Sequence, residues 1–141
     1  MKYDIFLAGP WENFAPAPYK RKIKEAFKDK KIYDPEKECL NFYDDVHAVL
    51  RKDWFALNYD ALSNSLSMVA LVPQFPFPGV GPETGIFYSS HCKKAGEPLE
   101  ELIIIWPETV KPDYGKRVVR QMGHLVKDTN EAILKLRAIL K

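Results

Sequence analysis

Two carboxylates in this chain are spaced to flank one buried strand. Asp60 closes the helical run Trp54-Phe-Ala-Leu-Asn-Tyr-Asp60, Ser67-Met-Val-Ala-Leu-Val-Pro73 reads as a short apolar strand, and Glu83 follows a Gly/Pro loop in Pro82-Glu83-Thr84-Gly85, which opens the next helix. Two acids around one cleft divide nucleophilic and general-acid work when their surroundings push their proton affinities apart. Glu83 stands in a first helical turn, where backbone N–H groups and the helix dipole favour negative charge by roughly 0.3 to 1 kcal/mol. It is therefore expected to be ionised and nucleophilic. Asp60, flanked by Tyr59 and Ala61, is less favoured by a dipole and is expected to hold a proton and act as the acid. In an open parallel sheet, ligands sit beyond the carboxyl ends of the strands. Glu83 falls there directly, whereas Asp60 reaches the crevice only if its helix ends near that rim. Each acid taken singly is equally readable as helix punctuation.

The elements that must position these groups follow from apolar patterning. Tyr3 to Ala8 is a buried-strand candidate ending in Gly9-Pro10-Trp11, a turn signal that also lets backbone approach a ligand closely. Pro18 to Lys28 reads as an amphipathic helix, Lys31 to Tyr33 as a short strand stopped by Asp34-Pro35, and residues 36 to 64 as an irregular acidic opening followed by one or two helices. After the central strand, a helix opened by Pro82 is expected to run to about Lys94 and cap at Gly96. Glu101 to Trp106 is another strand, Lys116 to Val126 is expected to be partly helical, and Asp128-Thr-Asn-Glu131 resembles a capping box opening a helix to Leu140. Apolar strands alternating with helices imply an α/β domain with a mostly parallel sheet of four or five strands.

Whole-chain properties narrow the function classes. At 141 residues with 46% hydrophobic residues, the chain is long enough for one domain with a real core. A net charge of +2 is too small to argue for a nucleic-acid polymer or a membrane surface, and Lys20-Arg-Lys22 and Lys28-Asp-Lys-Lys31 read as solvated helix faces. No continuous apolar run is longer than Leu102 to Trp106, which is far short of the roughly 20 residues of a membrane helix. Two cysteines, Cys39 and Cys92, make no disulfide framework, and the N-terminus enters a strand pattern without the signature of a signal peptide, so a cytoplasmic setting is expected. There is no Cys-x-x-Cys, no His-Glu-x-x-His and no phosphate-loop signature. Adjacent His91 and Cys92 point away from each other on a helix, and His47 has no ligand-type neighbour at helical spacing, so both histidines read as structural.

Four segments in order resemble the nucleoside 2-deoxyribosyltransferase family: Ile5-Phe-Leu-Ala-Gly9-Pro-Trp11, Asn58-Tyr-Asp60-Ala-Leu62, Gly81-Pro-Glu83-Thr-Gly85 and Asp113-Tyr-Gly-Lys116. The similarity covers the chain from the first strand to about residue 123. It implies a flavodoxin-like or Rossmann-like three-layer sandwich. It also implies a retaining double displacement in which Glu83 takes the 2-deoxyribosyl group from one nucleobase and gives it to another, with Asp60 handling the proton of the base. No metal or organic cofactor is implied. By analogy with retaining glycosidases the two carboxylates would stand about 5 to 6 Å apart.

The resemblance further implies that Trp11 and Phe14 border the base, that Gly9 and Gly81 admit the sugar, and that Asn58 and Glu38 lie near the substrate, with Glu36 as the alternative in the same segment. The partners implied are a deoxynucleoside and a free nucleobase, in a homo-oligomer with sites near subunit interfaces. Two departures stand out: the loop Phe75-Pro-Phe-Pro-Gly79-Val-Gly81 lacks the family's additional Asp, and Val118-Val-Arg-Gln-Met122 replaces the Asn and Met that a neighbouring subunit supplies, leaving Met122 or Gln121 for part of that role. Two other readings remain open. One is a hydrolase of nucleoside 5-monophosphates using Ser63, Ser65, Ser89 or Ser90 for the phosphate; the other is a non-catalytic nucleotide sensor.

Overall fold

A computed structural model of the chain describes residues 1–10, 19–42, 52–72, 80–111 and 118–141. Its strands are β1 (Tyr3–Ala8), β2 (Ile32–Tyr33), β3 (Ser65–Leu71), β4 (Leu99–Ile105) and β5 (Gly123–Val126), in one sheet of order β2-β1-β3-β4-β5. Every pairing is parallel. Helices with both ends among the described residues are α1 (Tyr19–Ala26), α2 (Pro35–Phe42), α3 (Lys52–Ser63), α4 (Val80–His91) and α5 (Thr129–Ile139). The α/β class and the parallel sheet expected from the alternation of strands and helices are those observed, with five strands.

Both faces of the sheet are covered, which is why its strands read as continuous apolar runs. On one face Ile5, Leu7, Val69, Leu71, Ile103 and Ile105 pack against Ile23 and Phe27 near α1 and against Ala132 and Leu136 of α5. On the other, Phe6, Ala8, Met68, Ala70, Leu102 and Ile104 pack against Ala61 and Leu62 of α3 and Phe87 of α4. Each fully buried Leu, Ile or Phe contributes roughly 1.5 to 3 kcal/mol, so strand alternation alone assigns each residue to a layer. The capping box is present: Asp128 Oδ1 accepts from the Glu131 N–H at 2.9 Å, while Glu131 Oε2 accepts from the Lys127 N–H at 2.9 Å, closing the box one residue ahead of the cap.

Several boundaries differ from the sequence reading, for local reasons. The acidic opening after β2 is helical from its start. Pro35 is the first residue of α2, and Asp34 caps it, its Oδ1 accepting from the Glu36 N–H at 3.1 Å and its carbonyl from Glu38 at 3.0 Å. Asp followed by Pro is thus a cap and first turn as well as a strand stop. α4 begins at Val80, two residues before Pro82, because the first turn has no intrahelical acceptor for the N–H that proline lacks. It ends at His91, so Gly96, at φ +91°, serves the turn into β4 and not the helix cap.

The stretch expected to be partly helical is helical at 118–120, and its last four residues form β5. Its four residues are too few to show a strand period. Pairing with β4 creates it, and that pairing needs a glycine. A Cβ at Gly123 would lie 2.3 Å from the Leu102 carbonyl oxygen and 2.7 Å from Leu102 Cγ. Leu102 is itself in register with Met68 of β3, so it has no room to retreat. Gly123→Ala is expected to destabilise the fold by about 1 to 3 kcal/mol. The readout is the denaturant midpoint, which should fall with little change in slope; an unchanged midpoint would contradict this close approach.

Candidate active site

Chain leaving β1 enters α1 on one face of the sheet, and chain leaving β3 enters α4 on the other. In a sheet of this order that divergence opens a crevice at the carboxyl ends of β1 and β3. Two of the sequence-derived residues stand at it. Gly9 directly follows β1 at φ +145°, and the point where a Cβ would stand is 2.2 Å from the Tyr19 hydroxyl and 3.2 Å from Leu71 Cβ. Tyr19 is held in place: it is 2% exposed and its hydroxyl donates to the Ala8 carbonyl at 2.8 Å. Only glycine satisfies both the left-handed backbone and the lack of space there.

Glu83 occupies the first turn of α4. The residue as a whole keeps some exposure, but its Oε2 is buried and meets no hydrogen-bond partner among the described residues. Burial pushes its carboxyl up to about 8; the Lys20 ammonium pulls it down and the Asp34 carboxylate pushes it up further. At about 1.4 kcal/mol per pH unit, burial outweighs by several-fold the roughly 0.3 to 1 kcal/mol that a helix dipole offers an anion. Glu83 is therefore mainly protonated at neutral pH, contrary to the ionised state expected from its first-turn position alone.

Lys20 and Asp34, the charges that act on Glu83, belong to one ion-pair cluster. Lys20 Nζ lies 2.8 Å from Asp34 Oδ1 and 3.5 Å from Glu36 Oε1, with its side chain 2% exposed. Lys24 Nζ lies 2.7 Å from Asp34 Oδ2. Burial works to raise Asp34, but Lys20 and Lys24 outweigh it and hold the carboxyl below its usual range. Burial, with Asp34, Glu83 and Glu36 nearby, raises the Tyr19 hydroxyl well above its ordinary value, so it stays a neutral donor. Lys20 is thus no part of a solvated helix face. Its place inside was hidden because Lys20-Arg-Lys22 has the composition of a surface, and the partner acids come from a different element. The detectable signal was Asp34, an acid ending an apolar strand.

Asp60 is not beside Glu83. It lies near the end of α3, where the following Asn64 carbonyl accepts from the Lys2 and Tyr3 N–H groups at the start of β1, so it belongs to the amino rim of the sheet. There it is 52% exposed, 3.4 Å from Lys2 Nζ, and its Oδ1 accepts from Asn64 Nδ2 at 3.1 Å. The seven residues of β3, at about 3.3 Å each, separate the rims by roughly 20 Å, so the expected carboxylate spacing is not formed.

Met122 is also at the amino rim of the sheet. Its carbonyl accepts from Leu99 at the start of β4, and its side chain packs on the core. Asn58 Oδ1 accepts from the Tyr33 hydroxyl at 3.0 Å and so is committed to the helix-sheet layer. Glu38 is half-buried in α2, two residues beyond Glu36, which is the acid paired with Lys20. Gly81 opens α4 with open space where a Cβ would be. Trp11 and Phe14 lie outside the described residues, as do His47 and the segment from Asp113 to Lys116.

The four serines considered for phosphate are at the amino rim. Ser65 donates to Ala61 at 2.6 Å, Ser89 and Ser90 donate to the Ile86 carbonyl at 3.1 and 2.8 Å, and Ser63 lies 3.5 Å from Ser90. His91 is structural, its ring stacked on Phe87 at 4.0 Å and its nitrogens 2.9 and 2.8 Å from the Phe87 and Ser65 carbonyl oxygens. Cys92 beside it is half-buried. Among the described residues, no group of three His, Cys, Asp or Glu side chains is placed to hold a metal ion, and no helix is long and apolar enough to cross a membrane. No family model and no curated protein matches the chain.

Two outcomes follow from this geometry. Gly9→Ala should destabilise the fold by about 2 to 5 kcal/mol, combining backbone strain with overpacking, and Tyr19→Phe in the same chain should recover part of the loss; thermal unfolding of both variants checks it. Burial also makes the folded state hold a proton on Glu83 that the unfolded chain gives up. The stability this contributes is full below the ordinary carboxylate range and disappears as pH rises through about 8. Glu83→Gln should remove that slope, so that wild-type and variant midpoints diverge from about pH 5 to about pH 9 with the variant ahead at the alkaline end. Parallel curves would mean that Glu83 titrates like a solvated acid.

Proposed function

We propose that this chain transfers a 2-deoxyribosyl group between nucleobases through an ester on Glu83. The observation that carries the reading is a buried carboxyl at the β1/β3 crevice with an oxygen that meets no partner among the described residues. An oxygen removed from water and given no donor is available to a ligand, and an anomeric carbon beside it would meet a nucleophile with no hydration shell to shed. The sequence resemblance to nucleoside 2-deoxyribosyltransferases supplies the substrate class.

The reaction balances on this one side chain. Glu83 in its acid form and a deoxynucleoside give a glycosyl ester and a free base: the Glu83 oxygen bonds to the anomeric carbon, the carbon–nitrogen bond breaks, and the carboxyl proton ends on the departing base. A second base reverses the sequence and takes the sugar with retention. The proton that burial keeps on Glu83 at neutral pH is the one that the leaving base requires. Asp60, across the sheet, has no part in this proton transfer. Among the described residues, the other acids on the carboxyl side are Asp34 and Glu36.

A nucleoside fits the site better than a nucleotide. Lys20 and Lys24 are already engaged by Asp34 and Glu36, and the candidate phosphate-holding serines face the opposite end. The resemblance also supports a homo-oligomer in the cytoplasm whose neighbouring copy completes each site. Mass spectrometry of protein quenched with a deoxynucleoside should show one deoxyribosyl adduct on Glu83. Glu83→Ala should lower base exchange by roughly 10⁴-fold or more, while Asp60→Asn should leave it nearly unchanged. Base exchange retained by Glu83→Ala, or cleavage confined to the monophosphate with water as acceptor, would overturn the transferase reading.

A further inference from the structure

We propose that the chain carries a second binding site, for a phosphate monoester with an apolar or aromatic body, in the cavity where β4 and β5 end. The divergence that opens the Glu83 crevice occurs again at these two strands. Past β4 the chain turns to one face of the sheet, where Val110 and Val119 join the layer of α3 and α4. Past β5 it turns to the other, where Ala132 and Leu136 of α5 pack in the layer of α1. Parallel neighbours whose continuations part in this way leave a gap beyond their carboxyl ends. Here the gap is a cavity of about 310 Å³ lined by Trp106, Arg120, Leu125, Val126, Lys127 and Glu131. Small-molecule sites begin at roughly 300 Å³, so it holds one small ligand. It lies two strand spacings, about 10 Å, along the rim from the β1/β3 crevice, and none of its lining residues takes part in the reaction proposed for Glu83.

The lining divides into an apolar floor and a charged wall. Trp106, Leu125 and Val126 supply the floor. Trp106 is fixed by two bonds: its backbone N–H donates to the Val126 carbonyl at 2.8 Å, and its indole Nε1–H donates to the Val110 carbonyl at 3.1 Å. An indole has one donor; with it used, Trp106 offers a ligand only its ring.

The wall sets two cations, from separate segments, against one acid. Arg120 Cζ stands 5.8 Å from the centre of the Trp106 ring, and no carboxylate among the described residues pairs with it. Glu131 is already committed: its Oε2 accepts from the Lys127 N–H at 2.9 Å, and its Oε1 lies 3.7 Å from Lys127 Nζ. Asp128 in turn accepts from the Glu131 N–H. An anion in the cavity is therefore answered by the Arg120 and Lys127 side chains and not by the amides that open α5. A phosphate monoester carries about −1.5 to −2 charge at neutral pH, and its oxygens can meet a guanidinium fork and an ammonium together. A neutral nucleoside would leave both cations unanswered.

The test titrates the full chain, labelled with nitrogen-15, with a deoxynucleoside 5-monophosphate, using inorganic phosphate and the unphosphorylated deoxynucleoside as comparisons. The monophosphate should shift the Trp106 indole and Lys127 amide NMR signals saturably, at lower concentration than either comparison. Arg120→Gln and Lys127→Gln, both at exposed positions and so compatible with folding, should each weaken that binding about 10-fold. The assignment is overturned by the absence of a saturable shift at Trp106, by shifts centred on the first turn of α4, by affinity unchanged in both variants, or by a comparison ligand that binds as tightly. None of these readouts uses the Glu83 ester, so this site and the transferase reading stand or fall separately.

Discussion

Lys20 is a full positive charge taken out of water at the carboxyl rim, and the architecture of that rim compensates for it. An unpaired ammonium there would cost several kcal/mol, and losing one partner of such a pair typically costs about 3 to 5 kcal/mol. Asp34 and Glu36 answer the charge at 2.8 and 3.5 Å. Asp34 is available because it ends β2, and it also caps α2. One acid therefore stops a strand, starts a helix and neutralises a cation from a third element. Glu83 is buried beside these charges.

The same rim shows how a sheet makes a site from residues far apart in sequence. Gly9 leaves β1 toward one face while the chain after β3 leaves toward the other, so the N-terminal turns of α1 and α4 converge above the strand ends. Tyr19 closes the floor of this space by donating to Ala8, and its hydroxyl forbids any side chain at Gly9. Glu83 enters from α4 and loses hydration without gaining a donor among the described residues. Its high proton affinity follows from that geometry: burial dominates, and the nearby cation is already engaged by Asp34.

Asp60 shows the limit of counting along the chain. Its distance from the strand and its place near a helix end suit a catalytic acid, yet α3 runs down one face of the sheet and deposits its end at the amino rim. There Asp60 pairs with Lys2 and Asn64, both at the same edge. Met122 and the four serines belong to that edge too. A residue directly after a strand can be placed at the carboxyl rim from sequence, because strand direction fixes it. For a residue before the strand, the length of the preceding helix decides.

Residue order by itself determined the layers and the two rim residues that follow strands directly. Continuous apolar runs such as Leu102 to Ile105 require cover on both faces, amphipathic helices between them supply it, and Gly9 and Glu83 then stand where parallel strands end. The cap of α5 was equally legible, since Asp128 and Glu131 interact within one helical turn. The burial of Lys20, the protonation of Glu83, the existence of β5 and the separation of Asp60 from the crevice were decided only by tertiary structure. The physical reason is common to all four: local composition sets helix and strand propensity, but the loss of water around a charge and the pairing of a four-residue strand depend on neighbours that the chain brings in from elsewhere.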